Sequence, residues 1–285
     1  MKIGRRMPAP ILAALVASVL VLSVVAGCAS SPPPSASGAV ILSATSEAPR
    51  GSLAALVVAP AKSIRVPILT YHDVDSRPVL GPRGGQLTVS PAQFRAEMDY
   101  LKRAGYRTVT LEQVYKAASG KAVLPPKSVA LTFDDGGIDN YTVVYPILRS
   151  HGFVATFFIV GGFPDLPGHT SWPDIKLMLR SGMCIESHTS HHRDLTTLTD
   201  RELVAELAGA RDVLRKKLGI DAHILAYPGG KYDARVEAAA RAAGYVAAVT
   251  VRRGNVISLA NAYEWPRIGI GPFTGLTSFR AALTK

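Results

Sequence analysis

The chain has 285 residues, of which 48% are hydrophobic and two are cysteine, and it carries a formal charge of +11. So few cysteines exclude a disulfide-stapled scaffold, and no basic stretch interleaved with aromatics supports a nucleic-acid-binding module. Three of the positive charges, Lys2, Arg5 and Arg6, head the chain and leave about +8 for the rest, a balance that suits solubility and an anionic envelope.

The basic start runs into an apolar stretch from Ile11 to Val25, followed by Ala26-Gly27-Cys28. That order reads as a secretory signal over residues 1–27. The apolar run is shorter than the roughly 20 residues of a membrane span. "VAGC" resembles the lipobox of bacterial lipoproteins, which implies cleavage before Cys28 and a lipid on its thiol. The expected location is then export with membrane anchoring, as a lipoprotein of the bacterial cell envelope. Residues 28–65 read as a flexible Ser/Ala/Pro-rich linker, although the apolar "SLAALVVAPA" lies within it. Residues 66–285 remain for one catalytic α/β domain with a sizeable core, expected to be monomeric. The second cysteine, Cys184 in "GMCIESH", is expected as a small buried core residue.

Within the domain, strands and helices alternate. "VPILTY" (66–71) reads as a strand, and Ser90-Pro91 as a helix start whose apolar face is Phe94, Met98 and Leu101. "YRTVT" is a short strand, and Thr110 with Gln113 forms a capping box. "SVALTF" (128–133) is apolar enough to be buried on both faces. A helix near 140–150, "FVATFFIV" (153–160), a helix near 172–181 and "MCIES" (183–187) follow. Thr199 and Glu202 cap a long helix ending near Leu218, after which come "HILAY" (223–227), a helix near 233–243, "YVAAVT" (245–250), "WPRIGI" (265–270) and a final helix near 276–284. Repeated βα units imply a parallel sheet. No Gly-rich phosphate fingerprint follows the first strand, which argues against a nucleotide fold. In a barrel, chemistry gathers at the C-terminal strand ends.

Polar residues do cluster at those ends. Tyr71, His72 and Asp73 follow "VPIL", Asp134 and Asp135 follow "SVALTF", His188, His191 and His192 follow "MCIES", and Pro228-Gly229-Gly230 follows "HILAY". The His188/His192 spacing lets two imidazoles reach one ion, and two His with one carboxylate is a usual catalytic ligand set. Adjacent residues at a strand end point different ways, so one acid can bind the ion while its neighbour serves as a base.

"TFDDG", "SHTSHH" and "AYPGG" resemble the first three motifs of the polysaccharide deacetylases, the family 4 carbohydrate esterases. "ILTYHDV", "QFRAEMDYLKRAGY" and "EWPRIGI" are similar to the branch that includes poly-β-1,6-N-acetylglucosamine deacetylases. The resemblance implies a deformed (β/α) barrel of about seven parallel strands and metal-dependent removal of acetyl groups from an acetylated amino-sugar polysaccharide. It implies Asp134 as base and Asp135, His188 and His192 as metal ligands, for zinc first, with cobalt, nickel or iron also compatible. It places Tyr227, Pro228 and Gly229 in the groove wall, with the Gly229 N–H at the oxyanion. The chain departs from the pattern in three places. Gly229 stands where an aromatic is common, the third motif lacks its arginine, and the late Leu-x-x-His is missing. Arg267 is the candidate replacement for the arginine, and His72 for the general acid, since the first and last strands of a closed barrel are neighbours. The alternatives are an O-acetyl polysaccharide esterase and a catalytically inactive glycan-binding lipoprotein.

Overall fold

A computed structural model describes residues 63–76 and 86–284. The expected signal segment, Cys28 and the linker up to residue 62 lie outside the described residues. The described chain opens with β1 (Ile64–Arg65), so the last two residues assigned to the linker already belong to the fold.

In chain order there follow β2 (Ile68–Tyr71), β3 (Asp73–Val74), β4 (Thr88–Val89), α1 (Pro91–Arg103), β5 (Arg107–Val109), α2 (Leu111–Ala118) and β6 (Ser128–Phe133). Then come α3 (Tyr145–His151), β7 (Thr156–Ile159), α4 (Trp172–Arg180), β8 (Cys184–Ser187), α5 (Asp200–Leu218) and β9 (Ile224–Ala226). The last elements are α6 (Ala234–Ala242), β10 (Ala247–Val249), β11 (Val256–Ile257), β12 (Ile268–Gly269) and α7 (Leu276–Thr284). Helix starts follow local chemistry. Thr110 and Thr199 close capping boxes with Gln113 and Glu202. Ser90 and Ser171 cap α1 and α4, each with a proline in the first turn. The helix expected near 140–150 begins instead as a π-helical turn, Asn140–Val144, before α3. Pro146 brings no N–H to the junction, so the regular ladder cannot run through it.

Seven strands curl in the order β10-β9-β8-β7-β6-β2-β12, all paired in parallel, and β5 joins the first half of β6. This is the deformed barrel the sequence anticipates. Alternation along the strands divides the core. Leu69, Tyr71, Leu131, Phe133, Phe157 and Ile159 join the cluster under α1, α3 and α4. Ile68, Ala130 and Phe158 join the other, with Trp265. Continuing the inward parity of Ala130 along β6 gives Thr132 and then Asp134, so the interior turns polar toward one end.

The ring is joined by the segment 265–270. Trp265 bridges Val249 of β10, donating to the Ala248 carbonyl at 3.0 Å. Three residues later Ile268 pairs with Leu69 of β2. The expected strand over 265–270 is thus regular only at Ile268–Gly269, because Pro266 lacks a ladder donor and the segment is changing partners. Trp265 is fully buried, and its indole N–H donates to the Ser258 carbonyl. Trp265→Ala is expected to lower unfolding free energy by about 4 kcal/mol, the usual range for a buried Trp truncation, measurable by urea denaturation.

Candidate active site

At the C-terminal end of β6 the two acids separate. The Asp134 N–H bonds the Tyr71 carbonyl at 3.1 Å and its carboxylate turns inward, 3% exposed. Asp135 takes a left-handed conformation, φ 73°, which turns its side chain away from that of its neighbour. Arg267 meets Asp134 with two parallel bonds, Nη1 to Oδ1 at 2.8 Å and Nη2 to Oδ2 at 2.7 Å. The guanidinium is itself anchored, donating Nε–H to the Thr250 carbonyl and Nη1–H to Thr132 Oγ1. Burial favours the neutral carboxyl, but Arg267 outweighs it and holds Asp134 below the usual carboxylate value.

His188 leaves β8 with its ring buried. Its Nδ1–H donates to the Ala226 carbonyl at the end of β9, at 2.8 Å, which leaves the Nε2 lone pair facing Asp135. Nε2 of His188 and of His192 lie 3.3 and 3.4 Å from Asp135 Oδ1. That oxygen is shielded from solvent and receives no hydrogen bond. The three donor atoms lie within 4.8 Å of one another. An orphaned carboxylate oxygen between two aimed imidazoles fits one divalent ion. Burial opposes the charge on Asp135, yet His188, His72 and His192 hold its carboxyl well below the usual range.

The loop between the two histidines is strained and clamped. Thr189 and His192 have φ of 66° and 56°, and the His192 N–H bonds Thr189 Oγ1 at 3.1 Å. Glu206 of α5, 3% exposed, accepts the Ser190 and His191 backbone N–H groups through Oε2 and His191 Nδ1 through Oε1.

His72 follows β2 as expected, its Nε2 3.9 Å from Asp134 Oδ2. Burial lowers its imidazole from the ordinary value, against the pull of Asp134 and Asp135. The turn Pro228–Gly230 follows β9, with φ of 61° at Gly229 and 69° at Gly230. Gly230 has a second reason to lack a side chain, since an added Cβ would meet Val251 Cγ2 at 2.5 Å. The Tyr227 ring does not line the groove. It is buried, stacks on Tyr232 and donates to the Tyr263 carbonyl, so only its backbone belongs to the turn. Pro228 is buried as well. His191 is on the rim, 68% exposed. His151 and His223 pair away from the site with Asp99 and Glu112, and His169 packs on Phe163. Cys184 is half-buried rather than fully interior, with Sγ 3.7 Å from Glu186 Oε1. Cys28 lies outside the described residues.

Thr132, Thr250, the Ala226 carbonyl and Glu206 were not picked out from sequence. A signal for Glu206 existed, because it interrupts the buried stripe Leu203, Leu207, Ala210 and Leu214 of α5.

Residues 121–248 match the family model for polysaccharide deacetylase. Over 220 residues the chain is 31% identical to YxkH of Bacillus subtilis (strain 168), whose name places it in that family, covering 77% of this chain and 76% of that one. The chain belongs to the polysaccharide deacetylase family. It is a hydrolase of the carbohydrate esterase class. The matched span starts after His72 and stops before Arg267, the candidates for the two family groups the chain lacks. A poly-β-1,6-N-acetyl-D-glucosamine N-deacetylase of Escherichia coli (strain K12) is 25% identical over 239 residues, 68% of this chain and 35% of the larger protein. The Streptococcus pyogenes deacetylase PplD, solved in complex with acetate, superimposes with a TM-score of 0.71 at 30% identity, over 78% of this chain and 99% of that one.

If Glu206 sets the loop that carries the histidines, Glu206→Gln will weaken zinc affinity by roughly ten- to a hundredfold, the usual effect of losing a supporting partner. Calorimetric zinc titration of the variant against the parent checks this; unchanged affinity would show that Glu206 braces only α5.

Proposed function

We propose that this protein is a metal-dependent N-deacetylase that releases acetate from a polysaccharide containing N-acetylglucosamine. One observation carries the reading. Of two adjacent carboxylates, Asp135 faces the paired imidazoles, while Asp134 is held outside that set by a buried arginine. The poly-β-1,6-N-acetyl-D-glucosamine N-deacetylases of Escherichia coli and Staphylococcus aureus among its relatives support the substrate class.

Asp135, His188 and His192 would hold the ion, zinc in preference to cobalt, nickel or iron. A bound ion supplies Lewis acidity, polarising an acyl carbonyl and bringing the pKa of water to about 7. Asp134 accepts one proton from the attacking water as its oxygen bonds the acetyl carbon, with Arg267 keeping the carboxylate charged and aimed. The Gly229 N–H donates to the oxyanion that forms. His72, neutral at rest, takes the proton from Asp134 and passes it to the sugar nitrogen as the C–N bond breaks. Acetic acid passes its remaining proton to the freed amine, so acetate and an ammonium group leave. The proposed setting is a monomer exported as a lipoprotein and tethered through Cys28.

Asp134→Asn is expected to abolish acetate release while leaving zinc content unchanged, read by acetate assay and metal analysis on one preparation. Near-normal turnover in that variant would remove Asp134 as base. Release from N-acetylated but not O-acetylated glycans, lost with chelator, separates the amidase from the esterase. Removing Arg267 takes away the largest influence opposing the burial of Asp134 and raises its pKa. The acid limb of kcat/KM should therefore move to higher pH in Arg267→Met, whereas a purely structural Arg267 would lower activity at every pH alike.

A further inference from the structure

We infer that the end of the barrel opposite the catalytic rim is a docking face for an anionic lipid bilayer. Helices α1 and α3 to α6 return from the catalytic end toward the end where strands begin, and α2, which follows β5 on the first half of β6 and meets Thr156 and His223 at the starts of β7 and β9, already lies at that end. The last turn of every one of these helices carries at least one Lys or Arg. Cations at helix C-termini are favourable by themselves. That accounts for these residues but not for Arg65, Arg107, Lys121 and Lys127, which stand at the same end on no helix and are exposed. Residues 100–128 hold six Lys/Arg against one acid, while the described residues as a whole hold 24 against 20. The net +5 of that stretch exceeds the net +4 of the domain, and the acids at the same end, Asp99, Glu112 and Asp221, are each paired with a histidine, lysine or arginine.

The shape suits a headgroup layer. Between Lys121 and Lys127 lies an apolar stretch, Ala122–Pro126, and Val123 at its tip is 91% exposed. Val123 borders two grooves of about 540 and 460 Å³, with Lys102 and Arg107 lining the first and Arg65 and Lys127 the second. An apolar tip within a ring of cations matches the boundary of acyl chains and anionic headgroups; a hydrated polyanion would use the cations and leave the tip unexplained. The preceding chain also joins at this end, since Ile64 and Arg65 line the second groove. Among the described residues no helix is long and apolar enough to cross a membrane, so the contact is peripheral. Docked this way, the catalytic rim faces away from the lipid. The inference requires neither the lipid on Cys28 nor the deacetylase reading.

The test uses the full chain with Cys28→Ser, sedimented with vesicles of phosphatidylcholine alone or of equal parts phosphatidylcholine and phosphatidylglycerol. Residues 1–27 carry Lys2, Arg5 and Arg6 and favour anionic vesicles by themselves, so the readout is the change that each variant makes to anionic binding. Anionic vesicles should bind more tightly, with the difference abolished by high salt. The combined change of Arg65, Lys102, Arg107 and Lys121 to Gln should weaken anionic binding by up to about a thousandfold. The same number of charges removed at the other end (Arg193, Arg201, Lys231 and Arg235 to Gln) should leave it unchanged. Val123→Asp, which alters only an exposed side chain, should also weaken it, and guards against a folding defect in the combined variant. Equal binding to both vesicles, equal loss in the two charge variants, or retention by heparin with no vesicle binding would each overturn the proposal.

Discussion

A guanidinium and a carboxylate, both almost fully removed from water, face each other across the barrel interior. The pair is costly to bury, and a hydrophobic replacement of similar volume would stabilise such a fold as well or better. Its value lies in what it fixes. Two parallel bonds leave Asp134 one orientation and one charge state. Because Arg267 also holds the Thr250 carbonyl and Thr132, the same group ties the closing segment to β6. Catalytic geometry and ring closure thus share one residue.

Around that pair, each neighbouring strand end delivers one component. β2 brings His72, β6 the two acids, β8 the histidine loop, and β9 the carbonyl that orients His188 together with the glycine turn. Strain appears where components must diverge. Asp135, Thr189 and His192 all have positive φ without being glycine, and such conformations persist only where the surroundings over-determine them. Here the surroundings are Glu206, Thr189 Oγ1 and the loop after β7, whose Gly161 and Gly162 N–H groups bond the Thr189 and Ser190 carbonyls.

Much of this was legible in the sequence. Strands buried on both faces read as apolar runs, and "SVALTF" became β6 with its bounds unchanged. Capping boxes at Thr110 and Thr199 placed two helix starts to the residue. The adjacent acids and the spaced histidines marked the site because no structural need explains carboxylates and imidazoles together at strand ends. What escaped was non-local or turned on side-chain direction. The bonds between Arg267 and Asp134 span 133 residues, and only the resemblance, through the arginine missing from the third motif, pointed to Arg267. The short antiparallel pair of β1 and β11 has too few residues to show a period. Tyr227 sits inside a motif, yet its ring follows the core-facing parity at the end of β9.

The joint near Trp265 has a further implication. The hoop is fastened there by one bridged pair and by backbone bonds from Thr250 to the Trp265 carbonyl and from Arg267 to the Arg252 carbonyl, with a proline beside it and without the ladder that β2 and β6 keep over four pairs. An opening that starts at this irregular joint, rather than in the ladders, would have a local consequence. Arg267 lies two residues past the bridge, so the base would lose its partner while most helices stay folded. Heat inactivation would then run ahead of melting, and the working temperature would be governed by a few residues of backbone rather than by the size of the core.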